Sequence, residues 1–118
     1  MEITFLGTGT STGIPAVGCK CGVCTSPDPR TQRLRSSVHL NLNGKSVIID
    51  TSPDFRLQVL RANINTLDAV LLTHSHADHL HGLDDIRPYN LRQGSPIDFY
   101  LLPAEVEVIK NKFSYIFE

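Results

Sequence analysis

One segment of the chain places four metal-binding side chains within six residues. It directly follows the apolar run Ala69–Leu72, which has the length and composition of a buried strand. The four side chains form an H-x-H-x-D-H pattern: His74, His76, Asp78 and His79. Such a cluster at the exit of a strand predicts a metal site and metal-assisted hydrolysis, and a polar, histidine-rich surface turn is the alternative.

The spacing of these residues divides them into two pairs. Side chains two residues apart in an extended segment point the same way, so His74 and His76 can hold one ion together. Asp78 and His79 come after the chain turns and can face a second ion beside the first. Two neighbouring ions can clamp a phosphate or another ester and hold a hydroxide between them. Imidazole and carboxylate ligands suit zinc, manganese or iron, which leaves the metal open.

All three cysteines of the chain lie in one short loop with C-x-C-x-x-C spacing: Cys19, Cys21 and Cys24. A secreted disulfide framework normally has an even number of cysteines at scattered positions, so the spacing favours a zinc clip. A closed structural zinc site needs four ligands, and a histidine or a residue from outside the chain must therefore complete it. Three reduced cysteines in a loop are the alternative.

Charge and hydropathy limit the partners of the chain. The formal net charge of −1 gives no general attraction to nucleic acid or to anionic membranes. No apolar stretch approaches the roughly 20 residues that span a bilayer, and the N-terminus has no signal-peptide pattern. We therefore expect a cytoplasmic protein without nucleic-acid or membrane partners.

Hydrophobic periodicity predicts the order β, β-hairpin, α, β, α, β, α. The predicted strands are Ile3–Leu6, Val38–Leu42, Val47–Ile49, Ala69–Leu72 and Pro96–Leu101, with a hairpin turn at Asn43-Gly44. Ser52 and Pro53 predict the cap and first residue of a helix, residues His79–Arg87 a second, and Pro103 the start of a third. The third helix has Val106, Ile109, Phe113 and Ile116 on one face. The alternation indicates an α/β sheet, and the uncapped end at Glu118 predicts a truncated domain.

This combination of features resembles the metallo-β-lactamase superfamily, whose H-x-H-x-D-H motif it matches at every ligand position. The segment Leu6–Thr10 is similar to the opening loop of that family. Asp50, at the end of a strand, is similar to the acidic residue that orients a ligating histidine, with a turn or helix-start residue as the alternative. The resemblance implies that residues 1–118 are a single, truncated domain, the N-terminal half of an αβ/βα sandwich.

The cysteine clip narrows the resemblance to the subgroup that contains phosphoribosyl 1,2-cyclic phosphate phosphodiesterase. In that subgroup, three such cysteines and a distant histidine bind a structural zinc. The resemblance assigns His74 and His76 to the first active-site metal, and Asp78 and His79 to the second. Family members supply further metal ligands from later segments. His39 and His81 match none of these, and we expect both to be structural or to support the metal ligands indirectly.

The resemblance implies a metal-dependent phosphodiesterase that acts on a cyclic phosphate or a nucleotide-like small molecule. A hydroxide held between two divalent ions (zinc or manganese) would attack phosphorus, with Asp78 and Asp50 as the catalytic carboxylates and one further structural zinc. Arg35 and Arg87 are candidate phosphate-binding residues. The alternative for the arginines of the loop Arg30–Arg35 is that they are solvated.

Three other interpretations remain open. A transfer-RNA 3′-processing nuclease shares the opening loop and the ligand motif, although the cysteine clip and the weak net charge count against it. The coenzyme PQQ synthesis protein B family also joins this fold to a cysteine clip, and we rank it lower because a different opening loop is expected. The third interpretation is a catalytically incomplete fragment, whose exposed apolar sheet would favour a homo-oligomer.

Overall fold

A five-stranded sheet, with strands in sequence order, forms the centre of the computed structural model, which describes residues 1–118. The strands are β1 (Glu2–Gly7), β2 (Ser37–Leu42), β3 (Lys45–Ile49), β4 (Ala69–Leu71) and β5 (Asp98–Tyr100). β1, β2 and β3 are antiparallel, and β4 and β5 join them in parallel. The predicted α/β class is confirmed. The predicted hairpin turn is also present, with positive φ at both Asn43 and Gly44.

Four α-helices connect or follow the strands. They are α1 (Phe55–Arg61), α2 (Ala77–Leu80), α3 (Arg87–Gln93) and α4 (Pro103–Lys112). Short 3-10 helices lie at Pro29–Thr31, Leu83–Ile86 and Ser114–Ile116. The longest helix has ten residues, and none combines the length and the apolar character that crossing a membrane requires.

The first helix begins later than the sequence predicts. We expected Ser52 as its cap and Pro53 as its first residue, but α1 starts at Phe55. The fully buried Ser52 hydroxyl accepts a hydrogen bond from the Asp54 amide (3.0 Å) and donates one to the Gln58 side chain (3.0 Å). Ser52 therefore braces a turn before the helix instead of capping it.

The single helix predicted over His79–Arg87 is wrong, because the chain divides there into α2, a 3-10 turn and α3. A Cβ atom on Gly82 would lie 1.9 Å from the Ser52 carbonyl oxygen, so this backbone approach is open only to glycine. Pro88 then lies in the first turn of α3, where its missing N–H costs no helical hydrogen bond.

The last helix is shorter than its apolar pattern predicts. α4 ends at Lys112, and a 3-10 turn follows it. Ile109 and Phe113 are buried as predicted, whereas Ile116 is 44% exposed. Ile116 therefore lies outside that helix and is only partly covered.

The hydrophobic core lies between the helices and one face of the sheet. Ile48 of β3 and Val70 of β4 are fully buried there, against helix and turn residues that include Phe55, Leu67 and Leu80. Full burial of such side chains contributes about 1.5–3 kcal/mol each. This packing fixes the carboxyl ends of β3 and β4, from which the predicted site residues extend.

The opposite face of the sheet is also apolar, but no other part of the chain covers it fully. The strand register aligns one apolar side chain beside the next across all five strands. We call this surface the open sheet face and define it by Ile3, Phe5, Val38, Leu40, Ile49, Leu71 and Tyr100. Phe5 is 71% exposed and Tyr100 is 57% exposed. Parallel strands, as in the part from β3 to β5, are normally covered on both faces.

Candidate metal centre

The structure brings the predicted metal ligands together just beyond the carboxyl end of β4. The ring centroids of His74 and His76 are 4.5 Å apart, and those of His74 and His79 are 4.2 Å apart. Asp78 joins the cluster through its carboxylate, whose Oδ2 lies 3.1 Å from His79 Nε2. The short helix α2 begins between these residues and turns Asp78 and His79 back toward the two histidines that precede it.

The ligand atoms of this cluster are grouped more loosely than those of a closed site. No three of them lie within 4.8 Å of one another, whereas the three cysteine thiols do. The His74 ring lies slightly closer to the His79 ring (4.2 Å) than to the His76 ring (4.5 Å), so the division into two pairs stays a prediction. A pair of ligands leaves positions on each ion for further protein groups, water or substrate.

Asp50 supports the cluster from the end of β3. Its carboxylate is buried and accepts hydrogen bonds from His79 Nδ1 (2.6 Å), from the Thr73 amide (2.8 Å) and from the Thr73 hydroxyl (2.7 Å). Because His79 Nδ1 carries the proton in this contact, Nε2 is left to face Asp78 and an ion. Asp50 adopts positive φ (63°), a conformation that few non-glycine residues adopt and that often occurs at functional sites.

Backbone hydrogen bonds position the strand ends and α2. The Asp50 amide donates to the Leu71 carbonyl (3.0 Å), and the Thr51 amide donates to the His79 carbonyl (2.9 Å). The Gly82 amide donates in turn to the Thr51 carbonyl (3.0 Å). These bonds fix His79 relative to Asp50 before any metal binds.

Sequence reasoning missed two residues that contact the ligand segment. The Thr73 hydroxyl lies 3.0 Å from His74 Nδ1, and Lys112 Nζ donates to the Ser75 carbonyl (2.9 Å). The position of Thr73 beside a ligand and its hydroxyl group were signals that the sequence contained. Lys112 is 37 residues from Ser75, and no local pattern indicates that contact.

The cysteine loop has the geometry of a metal clip. Besides the proximity of the three sulfurs, the Ala16 amide donates to Cys24 Sγ and the Cys24 amide donates to Cys21 Sγ, both at 3.4 Å. The hydrogen bond from the Cys24 amide, with smaller contributions from the Cys19 and Cys24 thiols, lowers the pKa of Cys21 to about 7. Thiolate character of this kind suits zinc.

The two predicted phosphate-binding arginines lie in different places. Arg35 forms an ion pair with Asp54 (3.1 Å) and donates from Nε to the Ser11 carbonyl (2.9 Å), which leaves Nη2 as its free nitrogen. Arg87 starts α3 and lines a groove between α3 and α4 that none of the four predicted ligands lines. The structure therefore does not bring Arg87 to the ligand cluster, and phosphate binding by Arg35 stays a prediction.

His39 and His81 make contacts that fit the structural roles expected for them. His39 Nε2 lies 2.7 Å from the Ser46 hydroxyl, and burial lowers the pKa of this histidine. His81 packs edge-on against Phe113, with ring centroids 6.1 Å apart. Neither contact joins the ligand cluster.

The sequence of this chain is similar to parts of several longer proteins. It is 45% identical to an octanoyltransferase of Porphyromonas gingivalis over 99% of this chain, but over only 24% of that protein. It is 31% identical to coenzyme PQQ synthesis protein B of Methylorubrum populi, over 88% of this chain and 38% of that protein. The chain thus spans well under half the length of these relatives.

Solved structures share the fold. The crystal structure of a diphosphatase from the PhnP family matches with a TM-score of 0.94 and 48% identity, over 98% of this chain and 46% of that one. Zinc-bound PqqB from Methylobacterium extorquens matches with a TM-score of 0.81 and 26% identity, over 98% of this chain and 42% of that one. The short form of human tRNase Z (TM-score 0.67, 24% identity, 99% of this chain and 41% of that one) shares the fold alone.

A family model described as the beta-lactamase superfamily domain matches residues 45–118, which is more than half of the chain. The matched region begins with β3 and includes Asp50 together with all four predicted metal ligands. With this match and the shared fold of the solved structures, the chain belongs to the metallo-β-lactamase superfamily.

Proposed function

We propose that this chain supplies part of the active site of a metal-dependent hydrolase that cleaves a phosphate ester or a diphosphate of a small molecule. The observation that carries the proposal is the set Asp50–His79–Asp78, in which His79 Nδ1 lies 2.6 Å from Asp50 and Nε2 lies 3.1 Å from Asp78, beside the rings of His74 and His76. The similarity to a diphosphatase of the PhnP family supports phosphorus chemistry for the complete protein.

The donor set fits divalent metals. It combines imidazole nitrogens with one carboxylate, and the buried Asp50 accepts hydrogen bonds without occupying the ligand positions. Such ligands suit zinc or manganese. We propose two active-site ions, with His74 and His76 facing one, and Asp78 and His79 facing the other.

The side chains of the chain have separable tasks in this proposal. The two ions would supply an activated water nucleophile and would stabilise negative charge on the phosphate oxygens. Asp50 holds the His79 ring in one orientation and one tautomer. Asp78 lies against His79 Nε2, where its second carboxylate oxygen can accept a proton from a nearby water molecule.

A structural zinc at Cys19, Cys21 and Cys24 completes the proposed metal content. This clip would stiffen the loop between β1 and β2, in which the Gly9 amide donates to the Leu34 carbonyl (2.7 Å) and the Ile14 amide to the Arg33 carbonyl (2.9 Å). The fourth ligand is proposed to come from outside the residues of this chain.

The test compares turnover by the wild-type chain with turnover by Asp78→Asn, in the presence of zinc or manganese. Bis(4-nitrophenyl) phosphate reports phosphodiester cleavage, and a nucleoside diphosphate reports diphosphate cleavage. We expect Asp78→Asn to lower turnover by about 100-fold or more. Asp98→Asn, at an exposed carboxylate in β5, is the matched control and should keep wild-type turnover. Equal turnover in wild type and Asp78→Asn would contradict the proposed role.

An incomplete site is the alternative that one observation favours, since no three of the predicted ligand atoms lie within 4.8 Å of one another. In this case the chain binds metal through the cluster but does not turn over either substrate. Zinc binding that is lost in His76→Ala, together with absent turnover in the wild type, identifies the alternative.

A further inference from the structure

The Asp50 carboxylate contacts His79 of the second predicted metal site directly and reaches His74 of the first site through Thr73. Asp50 Oδ2 accepts from His79 Nδ1 at 2.6 Å and from the Thr73 hydroxyl at 2.7 Å. The same hydroxyl lies 3.0 Å from His74 Nδ1. A continuous path of hydrogen bonds therefore joins His79, Asp50, Thr73 and His74.

The direction of each hydrogen bond in this path follows from a count of protons. An ionised Asp50 can only accept, so the single hydroxyl proton of Thr73 is donated to the carboxylate. The Thr73 oxygen is then an acceptor toward His74. The close approach of His74 Nδ1 therefore requires a proton on that nitrogen, because two acceptors at this distance would repel each other. If Thr73 instead donated its proton to His74 Nδ1, the lone pairs of the Thr73 oxygen would face the charged Asp50 oxygen at 2.7 Å.

The same proton count fixes the other nitrogen of the His74 ring. A neutral His74 that donates from Nδ1 to Thr73 keeps Nε2 unprotonated, whereas His79 Nε2 faces the Asp78 carboxylate at 3.1 Å. The unprotonated nitrogen is the one that can bind a metal. The Thr73 amide donates to Asp50 Oδ1 at 2.8 Å, which holds the carboxylate in place beside the Thr73 hydroxyl.

We infer that Thr73 is a positioning residue that extends the influence of Asp50 from the second predicted metal site to the first, by holding His74 in its Nδ1–H tautomer. This inference rests on the proposed function, because it assigns the ligand His74 to a metal. Thr73 itself has no predicted contact with metal or substrate. Its effect passes through the orientation and the protonated nitrogen of a neighbouring ring.

The tautomer can be measured without metal, which separates this inference from the proposed function. Long-range ¹H–¹⁵N NMR spectra of the metal-free chain, at a pH where the histidines are neutral, distinguish Nδ1–H from Nε2–H. We expect His74 in the wild type to be protonated at Nδ1. Protonation at Nε2 in the wild type would overturn the inference without any variant.

Two substitutions at Thr73 sharpen this test. Thr73→Val keeps the shape of the side chain but removes the hydroxyl, and we expect His74 to lose its preference for the Nδ1–H tautomer. Thr73→Ser keeps the hydroxyl and should keep the tautomer. Thr4→Val, in β1, is the matched control, since no hydrogen bond involves the Thr4 hydroxyl. An unchanged tautomer in a folded Thr73→Val chain would overturn the inference.

Zinc titration gives a second measurement. Thr73→Val should weaken one zinc-binding step by about 10–100-fold, whereas Thr73→Ser should stay within a few-fold of the wild type. A wild type that binds no zinc at the cluster contradicts the proposed function, and the tautomer measurement still decides the role of Thr73.

Discussion

At the scale of single residues, Asp50 does more than its position at the end of a strand suggests. It tolerates a left-handed backbone conformation, stays buried and compensates its negative charge with three hydrogen bonds from Thr73 and His79. Burying a charge without such partners would cost several kcal/mol. The same hydrogen bonds hold the His79 ring in one orientation.

Asp50→Asn tests this role. An asparagine side chain tolerates the same backbone conformation but has only one acceptor oxygen for three donors. We expect zinc affinity at the cluster to fall by about 10–100-fold, measured by titration with a chromophoric competitor. The exposed variant Asp98→Asn should bind zinc as the wild type does. Identical zinc affinity in Asp50→Asn and wild type would contradict the proposed role of Asp50.

Cys21 provides a prediction about pH. The hydrogen bond from the Cys24 amide stabilises the thiolate and lowers the pKa of Cys21 from 9.0 to about 7. In metal-free protein, the rate of alkylation of Cys21 by iodoacetamide should therefore rise with pH and reach half its maximum near pH 7. Peptide mapping by mass spectrometry separates Cys21 from its neighbours. A midpoint near pH 9 would contradict the predicted thiolate, and excess zinc should protect the residue.

At the scale of elements, the strands followed from the sequence more closely than the helices did. Alternation of apolar residues and the Asn43-Gly44 turn depend on neighbouring residues, and the hairpin was predictable from them. The division of the predicted helix at Gly82 depends on the Ser52 carbonyl, which is 30 positions away in the chain and close only after folding. The contact of Lys112 with Ser75 was not predictable for the same reason, since the two residues are distant in the sequence. The ligand cluster itself was identified from the family motif.

Gly82→Ala tests how closely α2 packs on the turn before α1. A Cβ atom there would meet the Ser52 carbonyl oxygen at 1.9 Å and the Phe55 Cβ at 2.8 Å, so the backbone must move. We expect a loss of about 1–3 kcal/mol in the free energy of unfolding, measured with urea. A Cβ on Gly22 would meet nothing within 4 Å, which makes Gly22→Ala the matched control. Equal stability of Gly82→Ala and wild type would contradict the close packing.

At the scale of the whole molecule, the open sheet face is an apolar surface that no other part of the chain covers fully. Five strands about 4.8 Å apart and about five residues long give it an area of roughly 400 Å². Apolar patches of this size on soluble proteins commonly mark interaction sites. The matched solved structures are about twice as long as this chain.

We predict that the chain on its own self-associates through this face. Replacement of Ile3 and Phe5 by serine, at two exposed positions of β1, should shift the distribution toward monomer in sedimentation velocity experiments. Leu60→Ser changes an equally exposed side chain on α1, outside the open sheet face, and should leave association unchanged. A wild type that stays monomeric at all concentrations would contradict the prediction.

The metal content of the chain tests the central claim most directly. Wild type, His74→Ala/His76→Ala and Cys19→Ser/Cys21→Ser would be dialysed against the same micromolar zinc buffer and measured by elemental mass spectrometry. The account predicts that each double variant loses part of the bound zinc and that the two losses are independent, since the cluster and the clip are separate sites. Equal zinc content in the wild type and the double histidine variant would contradict the assignment of His74 and His76 as metal ligands.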